Sequence, residues 1–303
     1  MKIEVSVLIC SHNPFNKYLE RALNALKLQS LEKGAWELLL VDNRSDHALS
    51  DNFDLSWHPL GRHIREDELG LTPARLHGIS EAKGKLVILV DDDNALAPSY
   101  IEEALRIHRE FPQLGVFGGS AEPDYESLPP KWMQSWLTAI ALRHVDKAQW
   151  SNLPSDIGIG PFGAGMCVRR EVAQWYAQGV ESDRNRRRLS RVGASMSSGG
   201  DSDIVWSALI LNYGIGLFPE LSLIHFIPAR RTEVSYLKRL VEGISESEIY
   251  LYRAHKLRHP SDAGIFIYLI KAIRYMMMCP RGSWGLHIAK IKGTLKGRRN
   301  RGR

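Results

Sequence analysis

Three short apolar runs constrain this chain more than any other feature: "VSVLI" (5–9), "WELLLV" (36–41) and "KLVILV" (85–90). Each is short and apolar, the third rich in β-branched residues, and each is followed by a polar cluster, the pattern of a buried strand. Between the first two, Lys17–Gln29 sets Leu19, Ala22, Leu23 and Leu26 at helical spacing, with Ala25 beside them. Between the second and third, Pro73–Glu81 reads as another helix. Strand and helix in alternation predict a parallel sheet with right-handed crossovers, an α/β fold. The strands then end on one edge of the sheet, where open α/β sheets bind ligands.

That edge is acidic. "DNRSD" follows the second strand and Asp91, Asp92 and Asp93 follow the third. Adjacent carboxylates raise one another's pKa unless a cation or hydrogen-bond donors compensate. Oxygen ligands of this kind suit Mg²⁺ or Mn²⁺, and Mg²⁺ characteristically bridges a carboxylate or two and the phosphates of a substrate. The plainer alternative is that Asp and Asn simply end the strand and open a turn.

Further along, Pro98–Phe111 reads as a helix and "GVFGGSAEP" as a strand running into a loop. Residues 123–160 carry more Trp and Pro and little periodicity, as an insertion or site wall would. "GPFGAGMCVRREVAQWYA" joins a glycine-rich turn to a helix, and "SSGGDSDIVWSALILNYG" opens a second helix on acidic residues, either of which also suits an N-cap. "IGLFPELSLIHFIP" is the last strand, and the pattern beyond about residue 235 is helical down to a basic end.

In this order the motifs resemble those of the glycosyltransferase family 2 enzymes, over roughly residues 4–245. "VSVLICSHN", "WELLLVDNRSD", "GLTPARLHGISEAKGKLVILVDDDNALAP", "PFGAGMCVRREV", "SSGGDSDI" and "IHFIPARR" carry the resemblance. It implies the GT-A fold: a Rossmann-like, mostly parallel central sheet flanked by helices, here with a helical C-terminal extension. It implies a catalytic domain over 1–235, with a nucleotide-binding half (1–118) and an acceptor half (119–235), then a helical extension (236–289) and a basic tail (290–303).

The resemblance also implies roles. Cys10, His12 and Asn13 lie against the nucleoside, with His12 stacking on the base. Asp42 or Asn43 hydrogen-bonds the base, and Arg75 contacts the base or a phosphate. Asp91 and Asp92 hold the ribose, while Asp93 binds the Mn²⁺ or Mg²⁺ that bridges the donor diphosphate. Asp201 is the general base, with Asp203 as the fallback, and His225 is a second metal ligand or phosphate contact. Family members invert the anomeric centre. Where many relatives carry Glu-Asp this chain has Gly200-Asp201, so a carboxylate expected to touch the acceptor is missing.

These types suit the chemistry. A nucleoside diphosphate leaves readily only when cations absorb its charge, and the attacking hydroxyl needs a carboxylate within reach. Arg231, on the loop after His225, could close over the diphosphate or be an ordinary surface arginine. His225 could equally be a core histidine. Trp132 and Trp136 read as packing, with a sugar platform as the alternative. "RNRRRLSR" (184–191) reads as a solvated loop. The expected partners are a nucleotide-sugar, UDP-linked, and a saccharide or lipid-linked saccharide.

Rival readings are a GT-A domain without turnover, and a haloacid-dehalogenase-like phosphatase, in which the acidic strand normally comes first in the chain. The formal charge of +6 points to anionic partners. No aromatic–basic interleaving points to nucleic acid. Three scattered cysteines in no zinc spacing fit a reducing compartment. Neither a signal peptide nor a spanning segment is expected, hence a cytoplasmic location. The apolar stretch 263–279 followed by the basic end reads either as a helix packed on the body or as an interfacial anchor on an anionic membrane.

Overall fold

The computed structural model describes residues 2–190 and 196–300. Arg191 of the basic run and residues 301–303 of the basic end lie outside that range. The first half alternates as expected: β1 (Val5–Ser11), α1 (Asn16–Lys27), β2 (Trp36–Asn43), α2 (Leu49–Asn52), β3 (Gly61–Glu66), α3 (Leu71–Glu81) and β4 (Leu86–Val90). It continues through β5 (Asn94–Leu96), α4 (Tyr100–Glu110) and β6 (Leu114–Tyr125). The second half comprises β7 (Gln149–Ser151), β8 (Met166–Arg169), α5 (Arg170–Ser182), α6 (Arg184–Arg187), α7 (Gly200–Ile210) and β9 (Gly214–Ile227). It ends in three helices, α8 (Val234–Ala254), α9 (Ile265–Met278) and α10 (Trp284–Arg299).

One sheet runs in the order β3-β2-β1-β4-β8-β6-β9-β5, with β7 added on β9. β1, β2, β3, β4, β6 and β9 run one way, and β5, β7 and β8 run the other. The register pairs Val5 with both Trp36 and Leu86, so the three apolar runs lie side by side. Their residues face two layers. Val7, Ile9, Leu38, Leu40, Ile88 and Val90 pack under α1 and α4, while Leu8, Leu39, Val41, Val87 and Leu89 pack under α3, α5 and α7. Fully burying each such side chain is worth roughly 1.5–3 kcal/mol, which is why runs of this composition settle at the sheet centre. α1 buries Tyr18, Leu19, Ala22, Leu23 and Leu26, the stripe its spacing predicts.

The helical end departs from the sequence reading in two places. Residues 290–299, expected as tail, continue α10. Gly293 and Gly297, four apart, face α8: a Cβ on Gly293 would lie 2.1 Å from the Glu242 carbonyl oxygen, and one on Gly297 would lie 3.0 Å from that of Glu246. Arg253 of α8 donates to the Gly297 carbonyl at 3.0 Å. "RNRRRLSR" is also only partly solvated: Arg184–Arg187 form α6, and Asn185, Arg187 and Arg188 are exposed whereas Leu189 and Ser190 are buried. Arg186 is buried, with its Nε 3.0 Å from both Asp203 carboxylate oxygens and its Nη2 donating to Ser207 at 3.1 Å. His255 Nε2 of α8 meets the same carboxylate at 2.7 Å. Asp203 is therefore a buried anchor joining α6, α7 and α8, out of reach of a substrate.

Candidate active site

At the carboxyl end of β4 the chain turns through Asp91–Asp93 into β5. Asn94, wholly buried, holds this turn together: its Oδ1 accepts from the Asp91 N–H at 3.2 Å and its Nδ2 donates to Asp93 Oδ1 at 3.1 Å. Asp92 accepts from the Ser11 hydroxyl at the end of β1. Burial, and then the neighbouring Asp93, raise the carboxyls of Asp91 and Asp92; that of Asp92 is pushed up to about 7.

Pairing of β5 with β9 sets Asn94 opposite His225, which brings the histidine to Asp93. His225 Nε2 lies 3.4 Å from Asp93 Oδ1. Arg231 reaches back from the loop after β9, its Nη1 3.0 Å from Asp93 Oδ2 and 2.9 Å from His225 Nε2. Burial alone would lower the Arg231 pKa, but Asp93 more than offsets it and holds the guanidinium charged. His225 Nδ1 is buried with no hydrogen-bond partner among the described residues. A cationic group thus already sits at the point where a carboxylate and an imidazole converge. Among the described residues no group of three or more His, Cys, Asp or Glu could hold a metal. One carboxylate and one imidazole fit an ion whose remaining ligands are phosphate oxygens and water.

Asp201 stands in the first turn of α7. Its Oδ1 accepts from Arg75 Nη1 at 2.6 Å and its Oδ2 from the Gly163 N–H at 3.0 Å. The Asp201 side chain keeps 37% of its surface exposed, whereas that of Arg75 keeps 4%. Burial would lower the Arg75 pKa, but the charges of Asp201 and Asp91 raise it. Arg75, expected on the base or a phosphate, is here the partner of Asp201. A Cβ at 163 would lie 2.6 Å from an Asp201 oxygen, so any larger residue there must displace that carboxylate. Nearby Gly165 has φ +72° and its carbonyl accepts from the Tyr100 hydroxyl at 2.6 Å.

The three aspartates, His225, Arg231, Arg75 and Asp201 line one cavity of about 470 Å³, together with Cys10. Burial pushes the Cys10 thiol up to about 12, so it is a neutral wall group. Arg143, donating to the Gly160 carbonyl at 2.9 Å and lying over the Phe162 ring, closes part of the rim. Ser190 also lines the cavity and is buried, with its Oγ unpartnered among the described residues. A Cβ on Gly200 would lie 2.2 Å from that Oγ, so Ser190 stands where the side chain of a longer residue at 200 would pass.

The other expected residues gather beside the cavity. His12 Nδ1 lies 2.9 Å from the Asn43 carbonyl oxygen, and Asn13, at φ +47°, exchanges hydrogen bonds with Asp46. Asp42 accepts from the Ser45 and Leu49 N–H groups and from Arg65, which hold it below its usual range against the opposing effect of burial. Asn43 accepts from the Gly70 N–H at 2.7 Å and donates to the Glu68 carbonyl at 2.7 Å. In this arrangement these four stitch the loops at the ends of β1 and β2. Trp132 and Trp136 pack against the helical end, Trp136 on His287 with ring centroids 4.9 Å apart. Asn94 and Gly163 were not singled out as site residues from the sequence, although the glycine-rich turn signalled the second and the turn reading of the acidic cluster included the first.

A sheet of this order, with acids at the strand ends and the turn before return strand β8 offering the Gly163 N–H to the second carboxylate, has the GT-A fold. The chain belongs to glycosyl transferase family 2, whose family model matches residues 6–173, more than half of the sequence. It is 24% identical over 176 residues to the glycosyltransferase AglE of Haloferax volcanii, covering 52% of this chain and 55% of that protein. The chain thus spans about half the length of the curated relative it matches.

Among solved structures, it superposes on mannosyltransferase PcManGT from Pyrobaculum calidifontis, in complex with GDP-Man and Mn²⁺, with a TM-score of 0.61 and 14% identity. That match covers 100% of this chain and 89% of the other. It also superposes on S. aureus TarS 1–349 in complex with UDP-GlcNAc, with a TM-score of 0.53 and 15% identity, covering 82% and 67%.

Proposed function

We propose that this protein transfers a glycosyl group, with inversion, from a nucleotide-sugar to a saccharide hydroxyl, using Mn²⁺ or Mg²⁺. One observation carries the reading: Asp93 with His225 and Arg231, and Asp201 with Arg75, face the same cavity. Fold relatives solved with GDP-Man and Mn²⁺ and with UDP-GlcNAc support a donor of this class. We take the donor to be UDP-linked, as the sequence suggested.

Asp93 and His225 would hold the ion, which when bound would draw charge from the departing diphosphate. Arg231, released from Asp93, would move to a diphosphate oxygen. Asp201, aimed by Arg75 and the Gly163 N–H, takes the proton of the acceptor hydroxyl as its oxygen bonds to the anomeric carbon. The bond from that carbon to the diphosphate oxygen breaks on the opposite face. The attack inverts the centre without a protein nucleophile.

The unpartnered Ser190 hydroxyl beside Asp201 suits a polar acceptor, a glycan of the cell envelope or a lipid-linked saccharide. Binding of nucleoside diphosphate by calorimetry and turnover by product release test the assignment. Asp93→Asn should weaken metal-dependent diphosphate binding. Asp201→Asn should bind normally and lose about 10²–10⁴-fold in turnover, the usual worth of a positioned base. A fully active Asp201→Asn enzyme would sink the base assignment.

A further inference from the structure

One surface plays no part in transfer. None of the 14 residues of α9 is buried. Its Phe266 is 79% exposed, Ile270 66% and Met278 80%, with Ile267, Ile273 and Met277 also exposed. At 100° per residue Ile273, Phe266, Met277 and Ile270 form one continuous stripe, with Ile267 and Met278 beside it. The opposite side, with Tyr268, Leu269, Ala272 and Met276, is half-buried towards α10, where the Tyr268 hydroxyl lies 3.0 Å from Thr294 Oγ1. The helix is therefore docked by one face and leaves a large apolar face uncovered. Contiguous exposure on this scale marks an interaction surface.

Charge names the occupant. From Ile265 to Arg303 the sequence carries ten Lys and Arg and neither Asp nor Glu. Lys271 and Arg274 lie on the exposed arc of α9, and Lys290 and Lys292 are exposed on α10; none of the four forms an ion pair among the described residues. A second copy would set one acid-free basic face against another. An anionic bilayer satisfies both features, with acyl chains meeting the stripe and headgroups meeting the cations, and Lys271 and Arg274 can extend past the apolar stripe to the headgroups. Fourteen residues make a helix of about 21 Å, short of the ~30 Å of a hydrocarbon core. No described helix is long and apolar enough to cross a membrane.

We infer that α9 lies along an anionic membrane surface with its Phe266–Ile270–Ile273–Met277 stripe in the headgroup–acyl boundary and Lys271 and Arg274 reaching the headgroups. This is independent of the transfer reaction. The test is flotation of the full chain with vesicles of phosphatidylcholine alone, and of phosphatidylcholine and phosphatidylglycerol in equal parts. Flotation with the mixed vesicles only is expected.

Phe266→Ser with Ile270→Ser, both exposed and neutral to folding, should weaken binding at least about tenfold. Lys271→Glu with Arg274→Glu should weaken it by a similar factor, since basic residues beside the stripe draw the helix to anionic headgroups. Light scattering should give a monomer. No flotation, equal flotation of the serine variant, or a dimer that the serine variant dissolves would each overturn the inference.

Discussion

Arg231 occupies the point where a cation is expected, and its removal should change metal binding in a direction opposite to its effect on the nucleotide. In the structure Nη1 contacts Asp93 Oδ2 at 3.0 Å and His225 Nε2 at 2.9 Å. An ion entering between those two groups must break both contacts. Hydrogen bonds to charged groups are worth about 1.5–3 kcal/mol net, and each 1.4 kcal/mol is a factor of ten. Counting the Asp93 contact alone, Arg231→Met should therefore bind Mn²⁺ about 10–100-fold more tightly in the absence of nucleotide, helped further by the loss of the His225 contact and of a repelling positive charge. With Mn²⁺ saturating, the same variant should bind nucleoside diphosphate more weakly by a comparable factor, because the guanidinium freed from Asp93 is no longer there to meet a phosphate oxygen. Paramagnetic resonance of free Mn²⁺ measures the first quantity and calorimetry the second. If Arg231 merely orients Asp93 as a ligand, Mn²⁺ affinity falls in the variant. That result, or unchanged diphosphate binding, refutes the exchange.

Gly163→Ala would press a methyl group against both Asp201 carboxylate oxygens while keeping the N–H. Turnover should drop by about a hundredfold, the scale of a 1 Å misplacement, with donor binding unchanged; undiminished turnover would show that Asp201 is not held there. His58 is buried between Trp36 and Trp57, its Nδ1 accepting from the Leu60 N–H, and burial, with help from Lys33, lowers its pKa to about 4. Because the unfolded chain takes up this proton near pH 6.5, the neutral ring's contribution is complete above that pH and shrinks as pH falls towards 4. Urea unfolding at pH 7 and pH 4.5 should differ by about 2 kcal/mol less in His58→Gln than in the parent; an unaltered difference would mean that His58 does not titrate in this window.

What could be read from the sequence follows from how local each cause is. β1, β2 and β4 are buried on both faces, so their composition alone declares them. β3 buries only Ile64 of "GRHIRE", and β5 is three residues inside an acidic turn, so neither carries a hydrophobic signature. Asp91–Asp93 are conspicuous because like charges are adjacent in the chain. Their context is not local: Arg75 meets Asp201 across 126 positions, and Arg186 finds Asp203 only when α6 folds beneath α7. A charge run seen without its partners looks solvated. For the same reason Gly293 and Gly297, read as part of a basic tail, prove to be the seam along which α10 lies on α8.

The three aspartates that end β4 can now be weighed as charges. Asp91, Asp92, Asp93 and Asp201 face one cavity, and the cations that meet them are Arg75, against Asp201 and Asp91, and Arg231, against Asp93. Burial first, and then the neighbouring Asp93, raise the carboxyls of Asp91 and Asp92, because a carboxylate taken out of water beside another favours its proton. A divalent ion of the kind proposed above would bring two positive charges to these acids. On that proposal it would also stand between them and the donor diphosphate, whose direct approach to several carboxylates would carry a heavy electrostatic cost.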